Sequence, residues 1–315
     1  MRSKTLSLLL YNLLFIALLA GCKGTSAVVP PNTAPVTKPS ASAAATTNAP
    51  VESTPTTAPT ITPTPEPLAL RVNDEGISLA EFQAELAQLQ EADLILKTNS
   101  MLEQQRQKVL DNLTDLALLA QTAFNNGFTL DDEALQAEWQ RLSQQAGGEE
   151  ALRGWLAKYN YSEAAFRSSL RRSMAAAWQR DQIASNVPEQ AEQVHVRQIV
   201  VLDEATAQVA LKQVSIPGAS FDNYAFAYDP QVGGDLGWFP RGYLLQPEVE
   251  EAAFSMQPGE ISGIIHSAIG YHIIQVIARE ERPLSPDAQR YLQHKAVQDW
   301  LKEQRSQSKV DILVP

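Results

Sequence analysis

Cysteine is almost missing: Cys22 is the only one in 315 residues, so no disulfide can form within the chain. Histidine is scarce too. His195, His266, His272 and His294 are the only four, and their spacings make no metal-ligand set. The glycine motifs that cradle phosphates or dinucleotides, G-x-G-x-x-G and G-x-x-x-x-G-K-[ST], are absent, as is the G-x-S-x-G nucleophile turn. Positive charge is in deficit, with 25 Lys and Arg against 36 Asp and Glu, and there is no basic run or basic-aromatic interleaving. Nucleic acid is therefore not an expected partner, and the acidity reads as a solubility feature.

What is present begins with an address. Arg2 and Lys4 precede an apolar stretch from Leu6 to Ala20, which ends in Leu19-Ala20-Gly21-Cys22. That is the layout of a cleaved export signal, residues 1–22, and the stretch is short for a span, which needs about 20 apolar residues. The ending resembles the bacterial lipobox, which implies that Cys22 is lipidated and that the chain is anchored to a bacterial membrane outside the cytoplasm. The alternative is a plain signal peptide with a chance cysteine. Residues 23–67 are rich in Thr, Pro and Ala, and hold ten of the 19 prolines. Such a segment cannot bury enough surface to offset its ordering entropy, so a disordered tether is expected. Fully extended as polyproline, it would reach on the order of 140 Å.

After Pro67 the pattern changes to that of folded structure. Leu68 to Asn73 alternates like a strand, and Ser78 with Glu81 forms a capping box before Leu79, Phe82, Leu86 and Leu89. A long helix is predicted over about 101–125, with a stripe of Val109, Leu113, Leu116, Ala120 and Ala123 and a stop at Gly127. Thr129 is the expected cap of the next helix, which carries Leu135, Trp139 and Leu142. Gly147-Gly148 breaks it, a short helix with Leu152 and Trp155 follows, and Ser162 starts another with Phe166, Leu170, Met174 and Trp178. Rows of this kind are more often core than binding groove. Ser285-Pro286-Asp287 opens a last helix with Leu292, Val297 and Leu301 facing inward. The closing Val310 to Val314 is expected to pair with Leu68–Asn73.

Between these helices, residues 194–280 read VHVRQIVV, GGDLGWFPRG, PEVEEAAF, QPGEIS and GYHIIQV in that order. Strands are predicted over 194–201, from Ile261 and over 271–277, and helices over 204–214, 221–226 and 248–254. The order of motifs resembles the parvulin type of peptidyl-prolyl isomerase, a small domain that speeds cis/trans exchange of X-Pro bonds. The order of elements around it resembles SurA-type and PrsA-type foldases, where helices and the last segment form one lobe around an inserted isomerase domain. The fold class is therefore α+β: a helical chaperone-like lobe over 68–187, a parvulin-type α/β domain with a small antiparallel sheet over 192–281, and a C-terminal helix and strand over 284–315 packed on the helical lobe.

The implied reaction makes and breaks no bond and needs no cofactor. The X-Pro amide must twist over a barrier of about 18–20 kcal/mol, and a thousandfold acceleration asks for only about 4 kcal/mol. An apolar pocket that grips the proline ring, with groups that stabilise the twisted amide, would suffice. The resemblance implies which residues those are. The first family histidine is replaced by Gln198 in Arg197-Gln198-Ile199-Val200, while His195, three residues earlier, falls on the opposite strand face. The second family histidine is His272, and Ser267 matches the hydroxyl beside it. His272 could equally be a satisfied, partly buried histidine that orders the sheet. Asp229 matches the acidic position near the reacting carbonyl. The proline pocket maps to Leu236, to Leu244 or Leu245, to Val249 in place of the family phenylalanine, and to Phe254. The acidic Asp203 and Glu204 stand where phospho-dependent relatives carry basic residues, which argues against phosphorylated substrates.

The expected function is an extracytoplasmic foldase acting on X-Pro bonds of exported, unfolded polypeptides. The Gln198 and Val249 departures keep open a non-catalytic holdase that merely binds extended Pro-containing segments. A dedicated assembly factor for one partner is a third possibility.

Overall fold

The computed structural model describes residues 66–98 and 100–314. The export signal, Cys22 and the Pro-rich stretch through Pro65 lie outside the described residues.

Two strands open the fold, β1 (Leu68–Val72) and β2 (Glu75–Ser78), joined by a tight turn in which Asn73 takes the left-handed conformation at φ 54°. β7 (Val310–Ile312) pairs antiparallel with the other side of β1, giving the order β2-β1-β7. The closing strand thus sits where its sequence pattern predicts. β2 has no such signal, because EGIS is short and lacks clear alternation. Ser78 caps α1 (Leu79–Leu96) by accepting from the Glu81 N–H at 3.2 Å. The Glu81 carboxylate does not return to the cap; it pairs with Arg172 instead.

Four more helices follow: α2 (Leu102–Asn125), α3 (Asp132–Ala146), α4 (Glu149–Lys158) and α5 (Glu163–Ser185). The cap of α3 is Asp131, which accepts from Ala134 N–H at 2.7 Å, and not Thr129. A carboxylate is at least as good a cap as a threonine hydroxyl, and Asp131 stands directly before the helix. Trp139, Leu152, Phe166 and Leu170 form one core, and Leu70, Val72, Ile77, Phe82, Val109 and Leu113 a second beneath the small sheet. Both are as the apolar stripes predict.

Arg172 of α5 is buried across this lobe. Its guanidinium donates to Glu81 at 2.5–2.6 Å and to Glu75 at 2.6 Å. Half-buried Glu85 lies one turn beyond Glu81 on the same helix. Burial and the Glu81 carboxylate push its pKa up to about 8, against the pull of Arg172. A raised carboxyl pKa means that the folded state holds a proton which the unfolded chain releases above its ordinary value. The associated stability is present below about 4.5 and is lost as pH rises toward 8. Glu85→Gln is therefore expected to raise the urea midpoint at pH 8 and leave it unchanged near pH 4, as measured by paired denaturation curves.

The second unit is a four-stranded antiparallel sheet in the order β4-β3-β6-β5, formed by β3 (Gln190–Val201), β4 (Asp235–Pro240), β5 (Ile265–Ser267) and β6 (Gly270–Pro283). The strand predicted at Ile261 is only a single bridge to Gln275; the edge strand proper forms later, at Ile265. On one face, Ile199, Val201 and Ile273 pack against α6 (Glu204–Val214) and α7 (Phe221–Tyr228). On the other, Val194, Val196, Ile274 and Val276 pack against α8 (Pro247–Ser255) and Phe239. α9 (Pro286–Gln307) then returns to the first lobe, capped by Ser285 as its sequence predicts. Val297 and Leu301 bury against α2 and α5, and Arg305 donates to Asp115 at 2.6 Å and to Asp111 at 3.0 Å.

Candidate active site

The site is built on the α8 face of the second sheet. Gln198 on β3 and His272 on β6 lie two positions apart in the ladder, since Val200 is the residue paired with His272. Alternation places both side chains on the face of Val194, Val196 and Ile274. His272 Nδ1 meets Gln198 Oε1 at 2.9 Å, and His272 Nε2 meets Ser267 Oγ at 2.7 Å. Ser267 Oγ also accepts from Ile269 N–H at 3.2 Å. A neutral imidazole protonated on Nδ1 satisfies every member: it donates to Gln198, and accepts from a serine hydroxyl that in turn accepts from Ile269. Burial holds the His272 pKa below its ordinary value, with the nearby Glu248 carboxylate opposing.

His272 is only 1% exposed and Ser267 is buried as well. Both side chains are spent on each other and on Gln198. His272 is thus a satisfied, buried histidine that is joined to Gln198. Gln198, half-buried, is the member of the chain nearest solvent.

Asp229 ends α7 and folds the loop that follows. Its Oδ1 accepts from Gln231 N–H at 3.2 Å and its Oδ2 from Gly234 N–H at 3.2 Å. Gly234 in turn accepts from Gln198 N–H at 2.9 Å through its carbonyl. At φ +63°, a Cβ on Gly234 would come 1.9 Å from the Gln198 carbonyl oxygen, so only glycine fits. Both Asp229 oxygens are engaged in shaping this turn against Gln198.

The apolar wall is narrower than the sequence mapping. Leu236 and Leu244 are half-buried and pack on the same cluster as Val249 and Ile274, on the Gln198 side. Leu245 is 78% exposed and is not part of that cluster. Val249 and Phe254 are both buried, Val249 at 1% exposure. Val249 and Ala253 are four apart on α8 and face the sheet, while the Phe254 ring is closed in by Phe239, with centroids 6.1 Å apart, and by Arg241 at 4.2 Å. They form the floor under the wall.

Glu250 escapes sequence reading. Its carboxylate accepts from the N–H groups of Gly242 at 2.7 Å and of Tyr243 and Leu244 at 3.1 Å, fastening the loop that carries Leu244. An acid some residues after a loop carries no sequence signal for that contact. His195 lies on the opposite sheet face, as expected, where it contacts Asp235 at 2.8 Å and helps line a cleft with Arg197, Asp222 and Gln275.

Residues 178–278 match the PPIC-type PPIASE domain, and residues 56–180 match the SurA-like N-terminal domain. The chain carries a parvulin-type domain behind a SurA-like one. Chaperone SurA of Bordetella avium is 32% identical over 150 residues, covering 41% of this chain and 29% of that protein. The chain therefore matches under a third of that chaperone's length. Foldase protein PrsA of Caldanaerobacter subterraneus is 28% identical over 221 residues, 65% of this chain and 71% of the foldase. A crystal structure of the peptidylprolyl isomerase PrsA from Bacillus anthracis is 23% identical and covers 60% of this chain and 94% of that one, with a TM-score of 0.38.

Removing the imidazole would leave Gln198 Oε1 and Ser267 Oγ without their buried partner. His272→Ala is expected to cost about 1–3 kcal/mol, read as a drop in urea midpoint at pH 7.5.

Proposed function

We propose that the protein is an extracytoplasmic, lipid-anchored folding factor that accelerates cis/trans exchange of X-Pro bonds in exported, unfolded polypeptides. The observation that carries this is the half-buried pair Leu236 and Leu244, packed on the cluster of the same sheet face that carries Gln198, within residues that match the PPIC-type domain. The leucines offer a proline ring an apolar seat. Gln198, with Oε1 held by His272, keeps its Nε2 end as a donor for the twisting carbonyl, the kind of fixed dipole that stabilises a changing charge distribution. The anchor rests on the lipobox-like Leu19-Ala20-Gly21-Cys22 and the tether on the Pro-rich run after it. Among the described residues no helix is long and apolar enough to cross a membrane.

A second reading, a holdase that binds without catalysing, draws on another observation. Leu94, Leu96, Met101 and Leu102 are exposed together at the tip of the α1–α2 hairpin. The turn is pinned, because Asp93 accepts from Thr98 Oγ1 at 2.8 Å and from Gln105 Nε2 at 2.7 Å. These four side chains give the hairpin a small exposed apolar tip. It suits transient contact with an extended apolar segment better than a permanent dimer.

Exchange NMR on Ala-Pro and Leu-Pro peptides tests catalysis. The full chain is expected to accelerate exchange, and Leu244→Ala to reduce kcat/KM by about tenfold; bound peptide without acceleration would leave the holdase. In aggregation assays with reduced, unfolded α-lactalbumin, Leu96→Ser with Met101→Ser is expected to weaken protection while leaving peptide exchange unchanged. Equal protection by the double variant would remove the tip from client binding.

A further inference from the structure

The loop between β4 and α8, residues 241–246, is held from two sides that belong to different lobes. From within the parvulin domain, Glu250 accepts three backbone N–H groups, from Gly242, Tyr243 and Leu244. Hydrogen bonds to a carboxylate are shorter and stronger than neutral ones, so this clamp fixes the loop backbone. From the other side comes α9. The Tyr243 ring meets Tyr291 edge to face, with centroids 5.4 Å apart and planes at 85°, a favourable aromatic geometry. Gly242, at φ +80°, lies against the same helix: a Cβ there would touch Leu292 Cδ2 at 3.5 Å and Lys295 Cε at 3.7 Å. Further along, α9 is locked into the helical lobe by Val297, Leu301 and Arg305.

We propose that Glu250 and Tyr291 are positioning residues for the isomerase site, and that the helical lobe sets the pocket wall through α9. The loop they clamp carries Leu244, so this rests on Leu244 being part of the proline pocket. Glu250 fixes the loop's shape and Tyr291 fixes its place. A displacement of α9 relative to the sheet, such as a client lodged against the helical lobe could cause, reaches Leu244 through the Tyr291–Tyr243 contact and the backbone of residues 242–244. Substrate affinity at the pocket is therefore tied to the state of the other lobe, and by linkage the tie runs both ways.

The test uses the full chain with Tyr291→Ala, Tyr291→Phe and Glu250→Gln, leucine-methyl labelling and peptide exchange NMR. Tyr291 is partly exposed, so its truncation leaves the cores intact. Tyr291→Ala and Glu250→Gln are expected to raise KM about threefold or more with kcat nearly unchanged, the sign of lost binding geometry, and to shift the Leu244 methyl resonances. Tyr291→Phe keeps the ring contact and should restore both. A merely structural role would lower the unfolding midpoint and leave KM and the Leu244 methyls in place, which would overturn the proposal. If the unaltered chain does not accelerate exchange, the catalytic reading fails separately. The Leu244 methyls then decide alone: movement in Tyr291→Ala sustains the coupling, and their constancy refutes it.

Discussion

The long antiparallel ladder between β3 and β6 is the constraint on which everything else depends. It runs in register from Gln190 opposite Pro283 to Val201 opposite Tyr271, with one bulge after His195. At its open end the two strands lead directly to α5 and α9, which pack on each other in the first lobe. An inserted domain must return the chain to where it left, and a two-stranded stem does so without a long linker. The junction is fastened by Leu284 N–H donating to the Glu189 carbonyl at 2.9 Å. At its far end the same ladder places Gln198 and His272 side by side. The stem that joins the lobes and the base of the site are thus one piece of sheet.

That placement sets Gln198 against His272. Gln198 offers an acceptor to the imidazole and retains donors of its own, so the chain from Gln198 through His272 to Ser267 closes with no buried group unsatisfied. A neutral His272 suits this network; protonation would place two donors in a site that has one acceptor and one serine hydroxyl. Isomerisation needs no proton transfer, so a buried neutral histidine is compatible with the chemistry. Its contribution is to hold Gln198 in one rotamer beside Leu236 and Leu244.

Most of the helical lobe was legible in the sequence because its signals are local. The serines at 162 and 285 cap the helices they precede, and the stripes through Phe82, Leu113 and Phe166 are buried as their spacing requires. The pairing of β7 with β1 was also foreseeable, since both ends of the fold showed a lone strand that needed a partner. Depth was not legible. A motif match assigns a position along a strand or helix, but not how much chain lies above it, so Val249, Phe254 and His272 could be aligned without revealing that they are enclosed. Long-range partners were equally hidden: Glu81 looks like half of a capping box until Arg172, 91 residues later, is seen to take its carboxylate.

The excess of acidic residues also acquires a physical role that composition alone did not suggest. In the parvulin domain the carboxylates repeatedly bind the backbone of their own loops. Asp203 caps α6 through Thr206 N–H, Asp229 closes the turn at Gly234, Asp235 accepts from Gly237 N–H, Glu250 clamps residues 242–244 and Glu260 accepts from Gln257 N–H. Loops without regular structure leave N–H groups that need acceptors, and a carboxylate supplies two oxygens at the cost of one side chain. Accepting these N–H groups does not neutralise a carboxylate, so the same acids fasten the loops and still contribute negative charge to the field around the domain. The loops fastened in this way include the one that leads into Leu236 and the one that carries Leu244.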